Sequence, residues 1–152
     1  METVISKNIV TALNDLIEIN NDRIEGYNTA AKEVEDTDLK DLFQNLSSDS
    51  RKFKDELRPL LIKHDGKNIE HGTTTSGKMY RVWMDIKSAL TGKDRKAILS
   101  SCEFGEDSAL ETYDKVLKDN ELPSDVRNIV EKQRAQLKVS HDKIKSLRDS
   151  VK

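Results

Sequence analysis

The residues most able to do chemistry in this sequence are carboxylates and one histidine near the apolar rows of long helical segments. Six of them are candidate ligands: Glu18, Glu25, Glu56, Glu103, Glu106 and His141. Carboxylates and imidazole from facing helices are ligands that iron and manganese accept. A carboxylate in a protein interior is also costly unless a cation or hydrogen bonds compensate it. The six residues are therefore candidate metal ligands, with iron or manganese as the possible cofactor.

The pattern departs from a complete di-iron centre, which takes one Glu from each of two helices and a Glu-x-x-His motif from each of the other two. Pro59 stands three residues after Glu56, and Lys138 stands three residues before His141, so neither completes the motif. The alternative, which we favour, is a hydrogen-bonded polar layer that fixes the register of the helices. The polar residues that interrupt the apolar rows are Asn20, Ser50, Glu106, Gln133 and Ser140.

Four long helices and one short helix must position these residues. Apolar residues recur at alternating spacings of three and four, which is typical of helices that pack against each other. The predicted long helices run from about Thr3 to Glu35, Asp38 to His64, Asp94 to Asp119 and Pro123 to Ser150, and the short helix from about Ser76 to Thr91.

Several residues predict where these helices begin and end. Thr37 can cap the second long helix, and Asp94 can cap the third. Gly92 can close the short helix, and Pro123 suits the first turn of the last one. Pro59, inside the second long helix, predicts a kink or a frayed last turn.

The segment between the second and third long helices decides the topology. Its loop, from Asp65 to Thr75, and its short helix of about 24 Å can together return along most of a bundle. The two long helices would then be parallel, as in ferritin-like folds with one long crossover. An up-down-up-down bundle with the short helix across one end is the alternative. We predict one all-α domain, residues 1–152, forming a ferritin-like four-helix bundle with a short extra helix in the crossover.

Composition narrows the function classes. The chain has 152 residues and a formal net charge of −2, with basic and acidic residues interspersed, so we expect no nucleic-acid partner. We expect no membrane partner, because no apolar run approaches a span of about 20 residues. We expect no signal peptide in the first residues, and the single cysteine, Cys102, fits a reducing compartment, so cytoplasmic localisation is predicted.

Two apolar residues have alternative interpretations. Cys102 lies on an apolar row and is more simply a small buried side chain than a nucleophile. Trp83 is most simply part of the core under the short helix. A contact between subunits of a homodimer, or with another protein, is the alternative for Trp83.

Several segments resemble an uncharacterised family of bacterial ferritin-like four-helix-bundle proteins. They are Asn14–Glu18, Asp22–Gly26, Lys87–Asp94, Cys102–Asp107, Gln133, Ser140–Asp142 and Leu147–Asp149. The resemblance implies the ferritin-like fold, a small bacterial cytoplasmic protein and an association with stress responses, without an established activity or cofactor. Gly105, within these segments, would let a neighbouring helix or side chain come close.

Two functions follow as hypotheses. The first is a non-enzymatic bundle protein, structural or partner-binding and stress-associated, for which a homodimer is one arrangement. The second is a divergent metal-binding, ferroxidase-like protein that uses the candidate ligands named above. Both hypotheses predict the same helices. They differ in whether hydrogen bonds or a metal ion compensate the buried polar residues.

Overall fold

A computed structural model describes the backbone of residues 2–65 and 77–151 and the side chains of residues 9–64 and 81–151. Within those ranges the chain forms five helices and no strand, which confirms the all-α prediction. The helices are α1 (Glu2–Glu33), α2 (Thr37–Asp65), α3 (Gly77–Gly92), α4 (Arg95–Leu117) and α5 (Ser124–Asp149). None of these described helices is both long and apolar enough to cross a membrane.

The N-termini of the helices confirm one predicted cap and correct another. The Asp94 side chain accepts a hydrogen bond from the amide of Ala97 at 3.1 Å, so Asp94 caps α4 as predicted. Thr37 is instead the first helical residue of α2, because the Lys40 amide donates to the carbonyl of Asp36 at 2.9 Å. The first helical hydrogen bond therefore starts one residue earlier than the pattern indicated.

One of the two prolines lies differently from the sequence prediction. Pro123 is the N-cap of α5 and not part of its first turn, and its carbonyl accepts from the Arg127 amide at 2.9 Å. Helix α2 continues through Pro59 as far as Asp65, so its last turn is not frayed. The predicted loop, Asp65 to Thr75, falls after its first residue within 66–76, which lie outside the described residues, as does His71.

The turn between α3 and α4 contains a residue with a left-handed backbone conformation. Gly92 is the last residue of α3, and the positive φ of 55° falls on Lys93. The Lys93 amide donates to the carbonyl of Leu90 at 3.1 Å, and the Asp94 amide donates to that of Ala89 at 3.3 Å. This pair of hydrogen bonds is a Schellman motif with Lys93 at the left-handed position, and α3 ends at Gly92 as predicted.

Ion pairs at both ends of the molecule establish the directions of the long helices. Arg95, at the start of α4, pairs with Asp36 at 2.8 Å and Asp38 at 2.7 Å, beside the start of α2. Lys63, near the end of α2, pairs at 2.7 Å with Asp125, near the start of α5. Since α5 follows α4 after a short turn, α2 and α4 run in the same direction. Around the core, α1 contacts α2 and α4, and α5 contacts α4 and α2.

The buried apolar residues form two clusters, separated along three helices by polar residues. On α1 one cluster ends at Ile19 and the other begins at Tyr27, and Arg23 lies between them. Ser50 on α2 and Glu106 on α4 occupy the same place in their helices. The core is therefore interrupted by one polar layer in which three helices take part.

Two glycines let α3 lie close to α1 and α4. Trp83 packs edge-on against Tyr27, with ring centroids 5.5 Å apart. A Cβ at Gly26 would lie 2.2 Å from an atom of the Trp83 ring, and a Cβ at Gly105 would lie 3.0 Å from Val82 Cγ1. The close approach predicted at Gly105 is confirmed, and Gly26 has the same role on α1.

Substituting Gly26 tests this packing. Ala at an interior helical position would by itself gain about 1 kcal/mol over Gly. The rigid Trp83 ring cannot accept a Cβ at 2.2 Å, so we expect Gly26→Ala to lower the free energy of unfolding by about 2 kcal/mol net. Urea denaturation measures it.

The matched control is Gly92→Ala, because an added Cβ there would meet nothing within 4 Å. We expect its free energy of unfolding to stay within about 0.5 kcal/mol of the parent value. Equal effects of the two substitutions would show that Trp83 does not need the glycine on α1.

Candidate functional site

A buried ion pair between α1 and α4 occupies the polar layer. Arg23 Nε donates to Glu106 Oε2 at 2.9 Å, and Arg23 Nη2 donates to Glu106 Oε1 at 2.8 Å. The two side chains are 2% and 1% exposed. Arg23 Nη1 also donates to the hydroxyl of Ser50 on α2. The guanidinium therefore connects three helices. It joins α1 to α4 through two hydrogen bonds with one carboxylate, and α1 to α2 through the serine hydroxyl.

The electrostatics of this pair keep Arg23 charged. Burial is the largest single influence and lowers the pKa of Arg23, but the charge of Glu106, its hydrogen bonds and the nearby tyrosines together outweigh burial, and the pKa is raised. Burial, followed by the charge of Glu106, raises the pKa of Tyr27 well above its ordinary value. The Tyr27 hydroxyl therefore stays protonated. Arg23 also lies over the Tyr27 ring, 5.5 Å from its centroid.

Sequence reasoning placed Glu106 and Ser50 in this layer and missed Arg23. Arg23 belongs to a row of positions seven residues apart on α1, whose other members Ile9, Leu16 and Ala30 are all buried. A basic residue in the middle of an apolar row with this spacing is the signal that could have identified it.

A second buried network links α1, α4, α5 and α2. Asn20 Nδ2 donates to the Tyr113 hydroxyl at 2.9 Å, and that hydroxyl donates to Gln133 Oε1 at 2.6 Å. Gln133 Nε2 then donates to the Phe53 carbonyl at 3.1 Å and to Glu56 Oε1 at 3.0 Å. Because burial raises the pKa of Tyr113 above its ordinary range, its hydroxyl remains a donor.

Most of the predicted polar layer is therefore buried and hydrogen-bonded. Asn20, Ser50, Glu106 and Gln133 are each no more than 1% exposed. Ser140 differs, because it is half-buried and its hydroxyl donates to the carbonyl of Gln136 in its own helix at 3.3 Å.

The six candidate ligands do not converge on one point. Glu106 is paired with Arg23, and Glu56 accepts from Gln133. Glu18 is half-buried on α1, and Glu25 is exposed beside a groove of about 270 Å³ between α1 and α3. These four share no group of three ligand atoms within 4.8 Å in the part of the chain that the structure describes. A two-metal centre does not fit this interior, because the guanidinium already neutralises its most buried carboxylate.

The other two candidates, Glu103 and His141, do lie together on the outer side of α4 and α5. Asp107, which the sequence prediction did not include, completes the group, and the ligand atoms of all three lie within 4.8 Å of one another. His141 Nε2 is 2.7 Å from Asp107 Oδ1 and 3.6 Å from Glu103 Oε1. Asp107 is one helical turn beyond Glu103, which is the spacing that could have identified it.

The structure supports the simpler interpretation of Cys102 as a buried side chain and of Trp83 as part of the core under α3. Cys102 is fully buried, and burial together with the charge of Glu106 raises the pKa of its thiol above the ordinary range, which is unfavourable for a nucleophile. Trp83 packs against both core clusters, and its Nε1 is buried without a hydrogen-bond partner. Its neighbour Met84 is 46% exposed and lines the groove between α1 and α3.

Fold and site together define an all-α protein whose long helices are joined by buried polar contacts. The chain belongs to the family described as Domain of unknown function (DUF2383), whose profile matches residues 8–119. That range includes most of α1, all of α2, α3 and α4, and both members of the Arg23–Glu106 pair. No curated protein matches the chain.

Tyr113→Phe tests the second network. The substitution removes one hydroxyl and leaves the buried Gln133 Oε1 without its donor, at a cost of about 1–3 kcal/mol in the free energy of unfolding. Thermal and urea denaturation measure it. Ser140→Ala is the control, since it removes a hydroxyl bonded only within its own helix, and we expect a change within about 0.5 kcal/mol. Equal losses would contradict a special role for the Tyr113 hydroxyl.

Proposed function

We propose that this protein is a non-enzymatic, ferritin-like four-helix bundle that acts as a structural or partner-binding protein. The observation that carries the proposal is the Arg23–Glu106 pair, in which the chain supplies its own buried cation. In a ferroxidase-like bundle the interior carboxylates would instead be neutralised by metal. The proposal takes residues 1–152 as one domain.

The ferritin-like assignment is supported by the direction of the helices. Parallel α2 and α4, connected through the segment that contains α3, match the arrangement with one long crossover. The resemblance in sequence supports a bacterial cytoplasmic protein associated with stress. Its partner would be another protein, a second copy of the chain included.

The hydrogen bonds among its side chains also favour a structural role for the polar layer. Buried polar groups that are hydrogen-bonded to one another fix the register of helices. Asn20, Tyr113 and Gln133 form one continuous chain of hydrogen bonds, and Arg23 satisfies both oxygens of Glu106. A catalytic cation would have to displace Arg23 and leave its guanidinium buried without a partner, which is strongly unfavourable.

Iron binding and iron oxidation test the proposal. The full chain is purified without chelators, its iron and manganese are measured by elemental analysis, and ferrous iron oxidation in air is followed against buffer alone. We expect no bound iron or manganese that depends on Glu106, and the same oxidation rate for the parent protein and Glu106→Gln.

Asp107→Asn is measured in parallel, because it alters only the outer cluster. One or two equivalents of iron retained in Asp107→Asn and lost in Glu106→Gln would contradict the proposal and make the interior an active site. Circular dichroism of each variant shows that the helices are intact.

A further inference from the structure

The geometry points to a single-ion site for a first-row transition dication such as Zn²⁺, held by Glu103, Asp107 and His141 between α4 and α5. This site is separate from the interior layer and does not depend on the non-enzymatic role proposed for the protein. Each residue contributes one atom, so the ligand set is one imidazole nitrogen and two carboxylate oxygens.

The ligand atoms are already near the separations that a bound ion requires. Metal–ligand bonds of about 2.0–2.2 Å place neighbouring ligand atoms about 3–3.5 Å apart. The distances from His141 Nε2 to Asp107 Oδ1 and Glu103 Oε1, 2.7 Å and 3.6 Å, lie on either side of that range. Small side-chain rotations would bring all three atoms onto one ion.

The neighbours of the three ligands orient them toward a common point. His141 Nδ1 lies 3.0 Å from Asp142 Oδ1, which leaves Nε2 to face Glu103 and Asp107. A carboxylate behind a metal-binding histidine is the usual second partner in protein metal sites. Arg148 pairs with Glu103 Oε2 and leaves Oε1 on the side of His141.

Charge and access both suit a dication. Four carboxylates and two cationic side chains surround the site, which leaves a net charge of −2: Glu103, Asp107, Asp142, Asp149, Lys138 and Arg148. Glu103 and His141 are nearly buried, with side chains 14% and 11% exposed, whereas Asp107 is 57% exposed. Asp107 and His141 also line a groove of about 980 Å³ along α4 and α5, through which an ion and its remaining water ligand have access.

The ligand set determines which ions fit. Imidazole suits Zn²⁺ and its first-row neighbours, whereas Mg²⁺ and Ca²⁺ prefer oxygen ligands alone. Three protein ligands with one open position are also typical of zinc sites that retain a water. We therefore expect Zn²⁺ to bind at one equivalent and Mg²⁺ and Ca²⁺ to bind far more weakly.

Calorimetric titration of Zn²⁺ into the chelator-treated full chain near neutral pH tests the site. We expect one saturable equivalent and an increase in the thermal unfolding midpoint on addition of Zn²⁺, because the ion would join α4 to α5. Asp107→Asn should weaken binding at least about tenfold, and Asp142→Asn by about 10–100-fold through the orientation of His141.

The control is His64→Ala, since His64 pairs with the single carboxylate of Asp125 and lies near the end of α2. We expect this variant to bind Zn²⁺ as the parent protein does. Asp107→Asn changes an exposed side chain, so its helical content by circular dichroism should remain that of the parent.

Absence of saturable Zn²⁺ binding, or equal binding by the parent protein and Asp107→Asn, would overturn the site. Neither result would alter the interior proposal, because only metal whose binding requires Glu106 would contradict that proposal. Zinc lost in Asp107→Asn and unchanged in Glu106→Gln would support the site.

Discussion

The buried contact between Arg23 and Glu106 is the interaction on which the packing of this molecule depends. A guanidinium and a carboxylate that are 2% and 1% exposed lose nearly all hydration, which is costly unless geometry compensates. Two hydrogen bonds between the charges, with the Ser50 hydroxyl as a further partner of Arg23, meet that condition. Because the donors are on α1 and the acceptor is on α4, a shift of either helix by one turn would leave both charges unpaired. The pair thus selects one register between the two helices.

Helix α3 depends on the same two helices in a different way. It lies over the polar layer with Trp83 against Gly26 on α1 and Val82 against Gly105 on α4. The glycines remove the side chains that would hold α3 away, and Tyr27 meets both Trp83 and the ion pair. Tyr27 therefore contacts both the connecting helix and the ion pair of the polar layer. The cluster of Glu103, Asp107 and His141 is a separate feature of α4 and α5.

The helices and the buried rows could be predicted from sequence because apolar spacing directly determines which face of a helix is buried. Asn20, Ser50, Glu106 and Gln133 were recognised because they interrupt such rows. Arg23 was not, since a long charged side chain is usually exposed and only the buried neighbours on its seven-residue row mark it. Asp107 is exposed on its helix, and its proximity to His141 depends on the rotation of α5 against α4, which apolar spacing does not fix. The left-handed conformation of Lys93 was missed for a similar reason, because Gly92 beside it is the residue type that usually adopts it.

A double-mutant cycle with Arg23→Met and Glu106→Met tests most directly whether the ion pair couples α1 to α4. Each single substitution leaves one buried charge unpaired and should lower the free energy of unfolding, measured in urea, by about 3–5 kcal/mol. The double variant has no unpaired charge, so its loss should be smaller than the sum of the single losses by about 2 kcal/mol or more. Additive losses, with a coupling energy below about 0.5 kcal/mol, would show that the two residues act independently and would contradict the dependence of helix packing on their contact.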